Sequence, residues 1–157
     1  MNKLIFLDVD GVLNCQSDWT GPNEDSFATL DPAKCDRLAR IVRETGATVV
    51  LSSTWRLFPG PALDKLNAWL LERGVTIHSR TQDLTGEFGH SMIRGHEIAR
   101  WMEDNATKFP NPRFVILDDD SDMNKDQLPF FVHTSFKTGL TEALAEQAIA
   151  ILNTGGQ

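Results

Sequence analysis

The feature of the sequence that most constrains the fold is a regular alternation of short apolar runs and longer amphipathic stretches. The apolar runs at residues 4–7, 48–51, 75–78, 114–117 and 130–132 are typical of buried strands. The stretches between them predict helices over 62–73 and about 95–105, one that begins at Asp31 and ends at Gly46, and a last one capped by Thr141. Strands that alternate with helices predict an α/β fold, a three-layer sandwich with a parallel sheet of about five strands.

Composition adds limits on the class of protein. The 157 residues, 41% of them hydrophobic, are enough for one domain with a core, which we expect to cover residues 1–157. The net charge of −7 gives no general attraction to nucleic acid or to an anionic membrane. No run approaches the roughly 20 apolar residues of a membrane span, and Cys15 and Cys35 make no disulfide framework. We therefore expect a cytoplasmic protein with no membrane partner, and the oligomeric state stays open.

Three of the predicted strands run directly into a residue with a polar side chain. These residues are Asp8, Ser52 and Asp118. In a parallel α/β sheet, ligands bind beyond the carboxyl ends of the strands. Three polar strand ends therefore predict one shared site.

Asp8 and Asp10 flank a single residue and are followed by Gly11, which permits a sharp turn. One carboxylate can attack phosphorus and form an aspartyl-phosphate, while the other can protonate the leaving oxygen and then deprotonate water. The alternative is a turn that carries two solvated acids.

A second group of acids, at residues 118–122, follows the fourth predicted strand. A calcium loop of the EF-hand type is excluded, because Met123 and Pro129 stand where that loop has its glycine and its last glutamate. A solvated acidic turn is an alternative. However, several carboxylates after a buried strand repel one another unless a cation neutralises them. Mg²⁺ prefers a few carboxylate oxygens together with water and phosphate, so we expect it at Asp8 and the acids of 118–122.

Groups that can bind phosphate lie at two further places. The hydroxyls and amides of Ser52 and Ser53 can hold phosphate oxygens, and Arg56 can reach an anionic substrate. Arg94, at the start of a predicted helix, can neutralise a phosphoryl group. An ordinary loop and solvated arginines are the alternatives. For Trp55 we favour packing in the core over stacking on a base.

Taken together, these segments resemble the four motifs of the haloacid dehalogenase-like phosphohydrolase superfamily, whose core is Rossmann-like. The motifs are residues 8–13, Ser52, a later cation and the pair Asp118–Asp119, in the same order and at strand ends. The resemblance implies that Asp8 is the nucleophile and a Mg²⁺ ligand. It further implies that Asp10 is the general acid/base with its backbone carbonyl on the metal, and that Ser52 binds the phosphoryl group.

The resemblance also implies the remaining roles. Asp118 and Asp119 would hold the metal, with Asp122 as a lesser candidate. The third motif is usually a lysine, and Arg94 is the substitute here. The acid at position 10 favours phosphate esters as substrates, because dehalogenases and ion pumps generally lack it.

The gaps between the motifs are too short for a large cap domain. Capless members tend to act on large substrates or to borrow a lid from a partner. Residues 50–56 and 116–119 further resemble the phosphatase-like domains linked to RNA-repair proteins, which implies a nucleotide or nucleic-acid-end phosphate as substrate. The polar segments 14–30 and 79–93 are expected to shape the mouth of the site.

The function we predict is Mg²⁺-dependent hydrolysis of a phosphomonoester through an aspartyl-phosphate. One alternative is a receiver-like signalling domain phosphorylated on aspartate, although receivers carry that acid after the third strand. The other is a catalytically silent binding module on the same fold.

Overall fold

A computed structural model describes residues 1–18, 30–57, 60–84 and 93–154 of the chain. Within these ranges there are five strands and four α-helices. The strands are β1 (Lys3–Leu7), β2 (Thr48–Leu51), β3 (Ile77–Arg80), β4 (Arg113–Asp118) and β5 (Phe131–His133). The helices are α1 (Pro32–Thr45), α2 (Gly60–Leu71), α3 (Arg94–Asp104) and α4 (Glu142–Asn153). Short 3₁₀ helices cover Gln16–Asp18, Thr54–Leu57 and Lys125–Phe130.

The five strands form one parallel sheet in the order β3-β2-β1-β4-β5. The central strand is β1, and its last residue, Leu7, lies opposite Leu51 of β2 and Leu117 of β4. The strand order reverses between β1 and β4, and such a switch point is where ligands bind in open α/β sheets. The predicted α/β sandwich with a parallel sheet of about five strands is confirmed.

Alternate residues of the strands face two separate cores. Ile5 and Leu7 of β1 belong to the larger core, which the sheet shares with α1, α2 and α4. Leu4 and Phe6 belong to the smaller core, which Ile98 and Trp101 of α3 close on the opposite face. Successive residues of a strand point to opposite faces of the sheet. These apolar runs are therefore buried on both sides, and helices cover both faces of the sheet, which gives three layers.

The predicted ends of α1 and the start of α4 are as the sequence indicates. The side chain of Asp31 accepts a hydrogen bond from the amide of Ala33 at 2.9 Å, and Gly46 ends the helix in a left-handed conformation with its amide bonded to Val42. The hydroxyl of Thr141 accepts from the amide of Leu144 at 3.2 Å. These side chains satisfy amide groups that have no partner within a helix.

The third strand begins two residues later than predicted, at Ile77 instead of residue 75. Val75 is buried, but its amide bonds to the carbonyl of Leu70 at 2.9 Å, and the amide of Gly74 bonds to that of Leu71 at 3.0 Å. These two bonds close the end of α2, so Val75 finishes a helix instead of opening a strand. The helix itself also starts two residues earlier than predicted, at Gly60.

No helix in the described ranges combines the length and apolarity that a membrane crossing requires.

Candidate active site

The ends of β1, β2 and β4 meet at one edge of the sheet. The amide of Asp8 donates to the carbonyl of Leu117 at 3.0 Å, and the amide of Ser52 donates to that of Leu7 at 2.7 Å. Asp118 is the last residue of β4. The structure thus brings the three polar strand ends together, as the sheet rule predicts.

Three carboxylates form a cluster at this edge. Asp8, Asp118 and Asp119 each offer one oxygen, and these oxygens all lie within 4.8 Å of one another. Asp8 is 6% exposed and Asp118 only 1%. Oδ2 of Asp118 is buried and has no hydrogen bond within the described ranges. Its cationic neighbour is Nε of Arg94 at 3.5 Å, which makes no hydrogen bond to it, and a carboxylate oxygen is of the kind that a hard cation takes as ligand.

Burial dominates the electrostatics of the cluster. It holds the pKa of Asp8 well above its usual range, and the charge of Asp118 adds to that effect while Arg94 and a hydrogen bond from Ser53 oppose it. Burial also raises the pKa of Asp118 to about 6, against the opposing charge of Arg94. The pKa of Asp119 is raised for the same chief reason, and its own hydrogen bond with Asp8 opposes the shift.

The donor set fits Mg²⁺. Carboxylate oxygens are the ligands this hard cation takes in proteins, usually from one or two carboxylates with water and phosphate completing the shell. A divalent charge would offset the repulsion and desolvation that raise all three pKa values. Asp8, Asp118 and Asp119 are therefore the residues that can hold the ion.

Gly11 lets the loop after β1 approach the cluster. Its φ is +77°, and a Cβ at this position would lie 2.4 Å from Oδ2 of Asp119. The carbonyl of Gly11 accepts from the hydroxyl of Thr134 at 2.6 Å, which fixes the loop to the chain after β5. Only a residue without a side chain fits between the loop and Asp119.

The side chain of Asp10 is not part of the cluster of three carboxylates within the described ranges, although its charge helps to raise the pKa of Asp119. Its Oδ1 accepts one hydrogen bond from Nδ2 of Asn14 and one from Nε1 of Trp55, each at 3.0 Å. Both donors are buried, at 0% and 1% exposure. Asn14 was not singled out from the sequence, and Trp55 is in the core as predicted but also contacts a predicted catalytic acid. The separation of 45 residues between Trp55 and Asp10 left no local signal for that contact.

Ser52 and Ser53 are both buried beside the nucleophile candidate. Oγ of Ser52 has no hydrogen bond within the described ranges. Ser53 donates through its side chain to Asp8 and accepts from the amide of Trp55 at 3.2 Å. A buried hydroxyl without a partner costs about 1–3 kcal/mol, so Oγ of Ser52 can bond a polar group that is brought to this edge of the sheet.

Arg94, the predicted substitute for the third-motif lysine, lies at the same edge. Its Nη1 donates to the carbonyl of Ser52, and its Nε lies 3.5 Å from Oδ2 of Asp118. The side chain is 11% exposed. The geometry puts one cation between the ends of β2 and β4, next to the carboxylates.

Arg56, which was predicted to reach an anionic substrate, has structural partners. Its Nη2 lies 2.7 Å from Oε2 of Glu97, and both side chains are 5% exposed. Its Nη1 donates to the carbonyl of Ser53 at 2.8 Å. Glu97 on α3 neutralises this guanidinium inside the protein, and the predicted role of Arg56 in substrate binding stays a prediction.

Asp122, the lesser metal candidate, caps a helix. Its Oδ2 accepts from the amide of Arg94 at 2.9 Å, and its carbonyl accepts from that of Gly95 at 3.1 Å. Ile93, at the N-cap position of α3, has no side chain that can accept a hydrogen bond from the first amides of the helix. Asp122, 28 residues beyond Arg94 in the chain, supplies that acceptor. Asp122 is not part of the carboxylate cluster in the described ranges. Its Oδ1 is buried there without a hydrogen bond, so its role as a lesser metal ligand stays a prediction beside the cap that Oδ2 makes.

The structure describes only part of the two segments that are predicted to shape the mouth of the site. Of the segments 14–30 and 79–93, residues 19–29 and 85–92 lie outside the described residues.

Comparison with known protein families identifies the family of this chain. The family described as "HAD domain in Swiss Army Knife RNA repair proteins" matches residues 4–145, which include every site residue named above. No curated protein and no solved structure matches the chain. The chain belongs to this family of HAD domains, within the haloacid dehalogenase-like superfamily of phosphohydrolase type.

Proposed function

We propose that this protein is a Mg²⁺-dependent phosphomonoester hydrolase that forms an aspartyl-phosphate on Asp8. The observation that carries the proposal is the cluster of Asp8, Asp118 and Asp119, with the carboxylate of Asp10 outside that cluster and hydrogen-bonded to Asn14 and Trp55 within the described ranges. Hydrolysis through an aspartate needs this division, since one acid must attack phosphorus while another moves protons.

The metal would be held by the carboxylates of Asp8, Asp118 and Asp119, with the backbone carbonyl of Asp10 as a further ligand. Mg²⁺ bound there supplies positive charge that offsets the charge of the phosphoryl oxygens.

The first step transfers the phosphoryl group to the protein. A carboxylate oxygen of Asp8 attacks phosphorus, the bond from phosphorus to the ester oxygen breaks, and Asp10 donates its proton to the departing oxygen. The hydroxyl of Ser52 and the guanidinium of Arg94 bind the phosphoryl oxygens and stabilise their charge.

The second step releases phosphate. Asp10, now a carboxylate, takes a proton from water, and the resulting hydroxide attacks phosphorus. The bond between phosphorus and Asp8 breaks, which restores the carboxylate of Asp8 and leaves Asp10 protonated for the next cycle.

The substrate we propose is a nucleotide or a phosphorylated nucleic-acid end. The family's description names RNA repair, which supports this choice. The net charge of −7 disfavours tight binding along a polynucleotide, so recognition at an end is more consistent with the chain.

A phosphatase screen with and without Mg²⁺ tests the proposal. The panel contains nucleoside monophosphates, sugar phosphates and oligonucleotides phosphorylated at the 3′ or 5′ end. We expect turnover that EDTA abolishes, with Asp8→Asn inactive and still folded. Asp120→Asn is the matched control, because Asp120 is exposed, belongs to the same acidic run and lies outside the cluster.

Three results would contradict the proposal. Hydrolysis of p-nitrophenyl phosphate by Asp8→Asn at the wild-type rate would show that Asp8 is not the nucleophile. Stable labelling by acetyl phosphate without release of phosphate would favour the receiver-like alternative. No turnover on any substrate would favour the silent binding module.

A further inference from the structure

Within the described ranges, the hydrogen bonds to the Asp10 side chain fall on one of its two carboxylate oxygens. Oδ1 accepts from both Asn14 Nδ2 and Trp55 Nε1, and no donor within the described ranges bonds to Oδ2. We propose that Trp55 and Asn14 are positioning residues that hold the Asp10 carboxyl group so that Oδ2 is the oxygen that exchanges the proton with the leaving group. The proposal rests on the proposed function, in which Asp10 is the general acid/base.

The orientation of the Asn14 amide is determined by a second contact. Its Oδ1 accepts from the amide of Gly11 at 2.9 Å, and only a carbonyl oxygen can accept there. The other end of the amide, Nδ2, must therefore face Asp10. Asn14 is fully buried, so both of its contacts are made away from solvent.

The indole of Trp55 is held by its surroundings. The residue is 1% exposed and belongs to the larger core, and its backbone amide donates to Oγ of Ser53 at 3.2 Å. The indole nitrogen is a donor only, so it cannot exchange roles with its partner. Packing thus fixes the direction from which the N–H group reaches Asp10.

Two fixed donors give the two carboxylate oxygens different roles. An oxygen that accepts two N–H groups has its acceptor positions filled, so the proton of the acid form belongs on the other oxygen. Rotation of the carboxyl group would break both hydrogen bonds, which are strongest in the carboxylate form because the acceptor is then charged. The arrangement therefore keeps Oδ2 available in every cycle.

Replacement of Trp55 tests the role of the indole N–H. Trp55→Phe removes the donor and keeps an aromatic ring in the core. The matched control is Trp101→Phe, because Trp101 is also buried and its Nε1 donates to Oγ of Ser79 at 3.1 Å, in the other core. The assay measures kcat/KM with Mg²⁺ for phenyl phosphate, whose leaving group needs a proton, and for p-nitrophenyl phosphate, whose leaving group needs it far less.

We expect Trp55→Phe to lower kcat/KM for phenyl phosphate by about 10–100-fold, part of the usual contribution of a general acid, and for p-nitrophenyl phosphate much less. Trp101→Phe should change both values by less than about twofold. Equal losses on both substrates, or the same pattern in Trp101→Phe, would overturn the positioning role alone. Failure of the wild type to hydrolyse either ester would overturn the proposed function and this role with it.

A measurement without substrate tests the contact itself. In the metal-free protein we expect Asp10→Ala to move the NMR resonance of the Trp55 indole N–H and to leave that of Trp101 in place. An unmoved Trp55 resonance would overturn the proposal.

Discussion

A Cβ at Gly11 would lie 2.4 Å from Oδ2 of Asp119, so the loop that follows β1 and the loop that follows β4 are in direct contact. Gly11 follows the first strand of the chain and Asp119 follows the fourth. Gly11 has no side chain, and this contact therefore limits where Asp119, a candidate metal ligand, can lie.

Gly11→Ala should therefore weaken Mg²⁺ binding as well as stability. The left-handed φ of +77° costs about 1–2 kcal/mol for alanine, and the clash must displace Asp119. A displaced ligand typically lowers metal affinity by about 10–100-fold. Calorimetric titration with Mg²⁺ measures the affinity, and thermal unfolding measures the stability.

Gly46→Ala is the control for this prediction. Gly46 has a similar φ of +70° but nothing within 4 Å of the added Cβ. It should lose stability to a similar degree and keep the wild-type Mg²⁺ affinity. Equal Mg²⁺ affinities in the two variants would show that Asp119 does not bind the ion.

The metal-free protein should become less stable as the pH rises from about 4 to about 7. Asp118 has its pKa raised to about 6 by burial, above the value of about 3.9 for an unfolded chain. The folded state thus binds the extra proton in this window, so the stability contributed by the protonated acid is complete below pH 4 and is lost as the pH passes 6. The raised pKa of Asp8 acts in the same direction.

Asp118→Asn isolates this effect, because the amide is neutral at every pH. In EDTA the variant should match the wild type near pH 4 and unfold at a higher temperature near pH 7. With Mg²⁺ the order should reverse, since only the wild type gains stability from the ion. A difference in melting temperature that does not depend on pH would refute this account of Asp118.

Asp122→Ala and Asp119→Ala should have opposite effects. The first removes the cap of α3, which costs about 1 kcal/mol of stability, and leaves the Mg²⁺ affinity unchanged. The second should lose Mg²⁺ binding with little loss of stability in the metal-free protein. Thermal unfolding in EDTA and Mg²⁺ titration of both variants check the assignment. Loss of Mg²⁺ affinity in Asp122→Ala would support the predicted role of Asp122 as a metal ligand.

Arg56→Met should destabilise the protein strongly, because it leaves the carboxylate of Glu97 buried without its partner. Breaking one side of a buried ion pair costs about 3–5 kcal/mol, whereas replacing both partners by apolar residues is often nearly neutral. The double variant Arg56→Met/Glu97→Leu should therefore be more stable than Arg56→Met in urea unfolding. A normally stable Arg56→Met with a greatly raised KM would instead support a role in substrate binding.

Local signals were sufficient for the parts of the fold that depend on neighbouring residues. Asp31, Gly46 and Thr141 cap their helices as predicted, and β1, β2 and β4 lie within a residue of their predicted bounds. The start of β3 was wrong because Val75 fits both a strand and the last bond of α2. From the sequence alone, an apolar residue after a glycine can either begin a strand or bond back to the end of the preceding helix.

In the candidate site too, the placements that follow from local signals could be predicted and those that depend on distant residues could not. The strand-end rule brought Asp8, Ser52 and Asp118 to one edge, because parallel strands end on the same side of a sheet. The contacts of Arg56 and Asp122 could not be predicted in this way, since their partners, Glu97 and the amide of Arg94, are 41 and 28 residues away. The hydrogen bond between Trp55 and Asp10 could not be predicted either, because 45 residues separate them in the chain.

The central place of β1 has a consequence for synthesis of the protein. The strand that leads to Asp8 is made first, but β4 covers its second edge only after more than half of the chain has followed, and the loop after β1 is fixed by Thr134, 123 residues beyond Gly11. A nascent chain therefore carries its nucleophile candidate long before the acids that we propose as metal ligands exist. The proposed phosphatase activity would appear only on completion of the sheet, so that activity would report that the sheet has folded.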